Sequence, residues 1–277
     1  MCRLFGLTAG TKRVRATFWL LDAPDSLEVQ SHRNPDGSGL GYFEPGGAAV
    51  VDKQPEAAFS DRAFAREARQ AESAAFVAHV RYATAGGRTA ANTHPFAMHG
   101  RIMAHNGGFG GLSRLETELG SYARLVLGDT DSERYFALIT KETDAHGGDV
   151  GAGITAAASW IAARLPVSSL NTIVAAPGEL WALRYPDQHA LHIIDRPAGP
   201  ELHVRSATSS VHAPGLSRAA SVVVASEELD GEGGWRMLAP GELVHVRPDL
   251  TVDSRVAIAG QPAHLVPLPA GNPNIDT

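Results

Sequence analysis

The chain carries a single cysteine, at position 2. That removes two ways of holding a fold together: no disulfide can form within the chain, and no cysteine-rich metal cluster can brace it. Apolar burial must do the work, and 277 residues are enough for it. At this size roughly 70% of the extended surface is buried on folding. Hydrophobic residues make up 44% and charged residues 19%, which excludes global disorder. The 24 Lys and Arg against 30 Asp and Glu leave a net charge of −6. There is no basic cluster, so a nucleic-acid partner is not expected. No apolar run approaches the ~20 residues of a membrane span. The first residues lack the regions of a signal peptide. A cytoplasmic location without membrane contact is the expectation.

The hydrophobic pattern alternates strands with a few helices. Residues 3–8 read as a short buried strand, and 16–21 as a short helix stopped before Pro24. Residues 39–43 and 48–52 read as a hairpin around Pro45, Gly46 and Gly47. Residues 60–72 carry Phe64, Ala68 and Ala71 at helical spacing. Core strands are expected at 74–82 and 101–105. A helix is expected at 130–141, opened by a capping box of Thr130 and Glu133 and buried through Tyr135, Leu138 and Ile139. An Ala-rich helix at 153–164 ends before Pro166. Strands follow at 172–176, 180–184, 190–194, 221–225, 243–246 and 251–256. Strands open and close the chain with helices between, which predicts stacked sheets covered by helices. Residues 2–260 are read as one domain and 261–277 as a Pro- and Gly-rich tail.

The chemistry starts at Cys2. If Met1 is removed, one residue carries both a thiol and a free α-amine, with ordinary pKa values of about 8.5 and about 7.7–8.0. The amine can take the thiol proton and later return it to a leaving group, so Cys2 supplies nucleophile and base together. A small buried Cys in the first strand is the plainer alternative. Arg81 is expected at a strand end, where it can grip a carboxylate or simply be a solvated charge. Asn106 and Gly107 are expected to end a strand. An Asn amide and the following Gly N–H can converge on an oxyanion, although Asn-Gly is also an ordinary hairpin turn. Asp129, Asp131 and Glu133 suit a helix N-terminus, and a carboxylate there can also bind an ammonium group.

Taken together and in order, Met-Cys-Arg-Leu-Phe-Gly at the start, Arg-Asn-Pro-Asp-Gly-Ser-Gly-Leu-Gly at 33–41, His-Val-Arg-Tyr-Ala-Thr at 79–84, Asn-Thr-His-Pro-Phe at 92–96, Ala-His-Asn-Gly at 104–107 and Thr-Asp-Ser-Glu at 130–133 resemble the class II glutamine amidotransferase domain, an N-terminal-nucleophile hydrolase. The resemblance implies an α+β fold, a four-layer αββα sandwich of two mainly antiparallel sheets. It implies cleavage of a glutamine side-chain amide through a γ-glutamyl thioester. Cys2 would be nucleophile and base, with Asn106 and Gly107 as the oxyanion hole. Arg81 would bind the substrate carboxylate, Tyr82 and Thr84 would shape that wall, and Asp131 would bind the ammonium.

The large synthases of the family carry a second domain that consumes the ammonia. This sequence shows no phosphate loop or dinucleotide fingerprint. Ammonia would therefore pass to a separate synthase subunit, or the chain would hydrolyse a γ-glutamyl compound outright. One alternative is a γ-glutamyl hydrolase of the ergothioneine-pathway type, acting on a sulfur-containing histidine derivative. Another is a catalytically silent regulatory subunit. A bile-salt or penicillin-type amidase lacks its accompanying polar residues here. His32, His79, His94, His99 and His105 have neither helical pairing nor a Cys partner, so no metal or other cofactor is expected.

Overall fold

The computed structural model describes residues 2–83, 86–199, 202–205, 210–213, 219–231 and 233–268. Thr84 and residues 269–277 of the expected tail lie outside the described residues. The strands are β1 (Arg3–Thr8), β2 (Ser38–Phe43), β3 (Ala49–Gln54), β4 (Ala75–Val80), β5 (Phe96–Met98), β6 (Arg101–Phe109), β7 (Pro166–Ala176), β8 (Glu179–Leu183), β9 (His192–Arg196), β10 (Leu202–Arg205), β11 (Ser210–Ala213), β12 (Ser221–Ala225), β13 (Arg236–Met237), β14 (Glu242–Val246), β15 (Val252–Val256) and β16 (His264–Leu265). The helices are α1 (Leu27–Gln30), α2 (Arg62–Gln70), α3 (Leu112–Leu119), α4 (Asp131–Ala145) and α5 (Val150–Arg164).

Two seven-stranded sheets stack face to face. The first runs β13-β9-β12-β1-β4-β2-β3, and the second runs β15-β14-β8-β7-β6-β5 with β16 paired to β7. All pairings in the first sheet are antiparallel; in the second only β16 is parallel to its partner. Strand alternation sorts the side chains into layers. Leu4, Ala75, Val77, Ile102, Ala104, Ile173 and Val224 fill the space between the sheets. Phe5, Leu7, Phe76, Ala78 and Val80 face outward to α2 and a π-helical turn at Phe18–Asp22. Met103, Leu170 and Val174 face outward to α3, α4 and α5. The result is the expected αββα sandwich.

The sheets approach closely because Gly6 and Gly41 lack side chains. A Cβ on Gly6 would sit 2.8 Å from the Ile173 side chain, and one on Gly41 would sit 2.7 Å from that of Ile102. Helices α4 and α5 meet in the same way, at Gly153, where a Cβ would fall 2.2 Å from Thr143 Oγ1.

The expected helix at 16–21 is the π-helical turn, shifted by two residues. The capping box at Thr130 differs in its second half. Thr130 Oγ1 accepts from the Glu133 N–H at 3.3 Å, as expected. The Glu133 carboxylate instead reaches back to the Gly128 N–H at 2.6 Å, clamping the loop before the helix. The first residues of the expected tail form β16, whose neighbour Val266 donates its N–H to Val167 O at 2.8 Å. No helix among the described residues is long and apolar enough to cross a membrane.

Candidate active site

The parity of the core strands decides which side chains face one another. On β1, Leu4 and Gly6 point between the sheets, so Cys2, just before the strand, continues on the same face. On β4, Ala75 and Val77 point inward, followed by His79 and then Arg81 just past the strand. On β6, Ile102 and Ala104 point inward, followed by Asn106. Cys2, Arg81 and Asn106 therefore share the inter-sheet space at one end of the sandwich. Register agrees for the first two, because Arg3 pairs with Val80.

The Cys2 sulfur accepts the Tyr82 N–H at 3.3 Å and lies 3.5 Å from Tyr82 O. Burial pushes the thiol pKa up. The Tyr82 backbone and the positive charges of Arg81 and Arg3 pull it partway back. A thiol so placed stays protonated near neutrality and needs a base. Tyr82 touches the sulfur with its main chain, while the residue as a whole is 43% exposed.

Arg81 is buried, not solvated. Its backbone N–H donates to Gly37 O at 2.8 Å, and its carbonyl accepts from the Asp36 N–H at 3.0 Å. The guanidinium donates to Gly87 O at 3.1 Å. Asp36 in turn accepts the Ala83 N–H at 2.8 Å and pairs with Arg88. The 33–41 loop thus clamps the segment that carries Arg81.

The strand reading of Asn106 and Gly107 needs correction. They do not form a turn; β6 continues through them to Phe109, paired residue by residue with β7 until a bulge between Gly108 and Phe109. Gly107 is required by that pairing, since a Cβ there would lie 1.9 Å from Ser169 O. Beside it, His105 Nε2 is 3.1 Å from Ser169 O and Nδ1 is 2.9 Å from Ser132 Oγ. A carbonyl can only accept, so Nε2 carries the proton and Nδ1 accepts from the serine hydroxyl. Burial holds His105 toward this neutral form, against the pull of Asp131.

Asp131 opens α4 and leans on the end of β6. Its carboxylate accepts the Phe109 N–H at 3.0 Å and the Ser132 N–H at 2.9 Å. Asn92 ties this corner to Arg81. Its Nδ2 donates to Gly87 O at 3.2 Å, the carbonyl that also takes Arg81, and its Oδ1 accepts the Asp129 N–H at 2.8 Å. Arg81 is thus joined through one short network to the turn that leads into α4. Sequence reasoning singled out neither Asn92, Ser132 nor Ser169. Asn92 stood within a quoted motif, but nothing in its spacing showed which carbonyls it would bridge.

The rings of His79 and His94 pack 4.2 Å apart between centroids, tilted by 36°. Burial drives His79 down to about 3 and His94 well below the usual histidine range. Among the described residues, no three His, Cys, Asp or Glu side chains are grouped to hold a metal ion.

Residues 1–262 match the family model of class II glutamine amidotransferases. The chain belongs to that family. A probable glutamine amidotransferase of Saccharomyces cerevisiae is 30% identical over 170 residues, covering 54% of this chain and 47% of the relative. An uncharacterised protein of Methanocaldococcus jannaschii is 31% identical over 150 residues, covering 52% and 39%. A glutamine–fructose-6-phosphate aminotransferase of Xylella fastidiosa is 29% identical over 133 residues, covering 48% and 20%. The matches thus span less than half the length of these relatives. Among solved structures, glutamine phosphoribosylpyrophosphate amidotransferase of Bacillus subtilis superposes with TM-score 0.66 at 18% identity, over 94% of this chain and 50% of that one. A class II domain protein of Silicibacter pomeroyi gives 0.60 at 19%, over 92% and 98%. At these identities the superpositions speak to the fold. Family membership is consistent with glutamine amide hydrolysis.

Proposed function

We propose that the chain is a glutaminase that works through a Cys2 γ-glutamyl thioester and releases ammonia from glutamine. The observation that carries this reading is the Cys2 sulfur held against the Tyr82 backbone, next to buried Arg81, with Asn106 on the facing sheet and Asp131 at the start of α4 against the end of β6.

The reaction needs a proton acceptor for a thiol that burial keeps protonated. With Met1 removed, the Cys2 α-amine fills that role. The thiolate attacks the amide carbon, forming the C–S bond. The oxyanion is stabilised by the Asn106 side-chain amide and the Gly107 N–H. The protonated amine returns its proton to the leaving nitrogen as the C–N bond breaks, releasing ammonia. Water then attacks the thioester, giving glutamate and the free thiol. Arg81 holds the substrate carboxylate and Asp131 the ammonium, fixing the amide for attack. Each Asp131 oxygen has a further lone pair for the ammonium. Tyr82 belongs to the segment lining the carboxylate side.

Intact mass and labelling by a glutamine-analogue electrophile test the reading together. Met-free protein carrying one label on Cys2 supports it. Met-free protein that takes no label supports the silent-subunit alternative. A release assay across γ-glutamyl amides then defines the leaving group: ammonia from glutamine supports the proposal, and faster release of a larger amine identifies a dedicated γ-glutamyl hydrolase.

A further inference from the structure

We infer that a cavity at the opposite end of the second sheet binds a small organic anion, a phosphate or carboxylate carried on a flat apolar body. The cavity measures about 740 Å³, within the roughly 300–1,000 Å³ of small-molecule sites. Arg101, at its edge, opens β6. Asn106 lies roughly 17 Å further along that strand at ~3.4 Å per residue. The cavity is therefore distinct from the thiol site.

Its charges favour an anion once the existing pairings are followed. Three carboxylates line it, and each is engaged. Asp149 caps α5, accepting the Ala152 N–H at 2.9 Å. Glu179 takes His245 Nε2 at 3.0 Å, and Asp253 takes Arg247 at 2.5 Å. Two guanidiniums are left with weaker partners. Arg101 is 11% exposed, and its nearest acidic oxygen, on Asp144, is 3.9 Å away. Its buried Nε and Nη2 make no hydrogen bond. Arg255 donates to Thr155 Oγ1 at 2.9 Å and forms no ion pair among the described residues. A guanidinium held largely out of water, with Nε and Nη2 unbonded and a carboxylate no closer than the ion pair at 3.9 Å, is costly, and an anion seated beside it lowers that cost.

The remaining wall is apolar and flat. The Trp181 and His245 rings stack at 4.5 Å with 12° between planes, and Leu243 and Ala176 stand beside them. A phosphate or carboxylate near Arg101 and Arg255 would place a planar body along this wall.

The test is calorimetric titration of the full chain with phenyl phosphate, benzoate and inorganic phosphate. Saturable binding of either aryl anion, at least about tenfold tighter than inorganic phosphate, supports the site. Which aryl anion binds tighter names the acidic group. Arg101→Gln and Arg255→Gln should each weaken binding about tenfold. Arg255 lies on an exposed strand, so its variant decides the matter even if Arg101→Gln fails to fold. Asn106→Ala should leave the affinity unchanged. Absence of binding by both aryl anions, affinity unaltered in Arg255→Gln, inorganic phosphate binding as tightly as the aryl anions, or loss of binding in Asn106→Ala would each overturn the inference.

Discussion

The two halves of the candidate site are held by different means. On the first sheet, Cys2 and Arg81 are fixed mainly by backbone: Tyr82 N–H to sulfur, Arg81 N–H to Gly37 O, Asp36 N–H to Arg81 O. On the other half, Asn106 sits in the ladder of β6 with β7 and Asp131 opens α4, and side chains add to the backbone there: His105 lies between Ser132 and Ser169, Asp131 accepts from the Phe109 N–H, and Ser169 Oγ donates to Asn106 O at 3.0 Å. A backbone-held half tolerates changes in the side chains around it. A half braced by side chains as well can be loosened one hydroxyl at a time while the fold stands.

The predictions follow that contrast. Cys2→Ser removes the nucleophile and should lower glutaminase kcat by at least about 10⁴-fold in protein that still folds; residual turnover above a hundredth of wild type would break the thiol assignment. Asn106→Ala should cost about 10²–10³ in kcat, or about 3–4 kcal/mol, with melting little changed. Normal turnover there would remove the facing sheet from the chemistry. Ser132→Ala leaves His105 Nδ1 without its donor and should raise KM more than it lowers kcat, by less than about tenfold. A matching loss in both constants would show that the hydroxyl acts on the transition state instead.

Two further measurements test the scaffold rather than the chemistry. Gly153→Ala forces a methyl against Thr143, including its backbone nitrogen, and should cost about 1–3 kcal/mol in urea unfolding. An unchanged midpoint would show that α4 and α5 can part freely. The buried histidines set the pH response. His79 is held down to about 3 and His189 to about 4, in both cases chiefly by burial. The unfolded chain therefore binds more protons than the folded one below about pH 6.5. Stability should be full above that point and fall on acidification toward pH 3–4, by about 1.4 kcal/mol per pH unit for each such ring. Urea midpoints at pH 7.5 and 5.5 measure it, and equal values would mean the rings titrate normally in the fold.

Much of the fold was legible because burial leaves a period. Strand β12 falls at 221–225 as read, and Thr130 caps α4 because a hydroxyl there meets an otherwise unsatisfied N–H. Short elements such as β5, β13 and α1 escaped, since three or four residues carry no period to read. The site was legible as residue types, not as geometry. Asn106-Gly107 looks like a turn in one dimension. Only the facing Ser169 shows that the glycine serves strand approach. The roles of Asn92 and Ser132 depend on carbonyls and rings far away in sequence, which local spacing does not reveal.

Strand β1 lies mid-sheet, flanked by β4 and by β12, and its register joins Phe5 to Ala225. The strand that completes the surroundings of the thiol is thus made long after the thiol itself. Between the two, a nascent chain carries the sulfur with no finished pocket around it. The setting of the cysteine is therefore acquired on completion of the sheet and not on its translation.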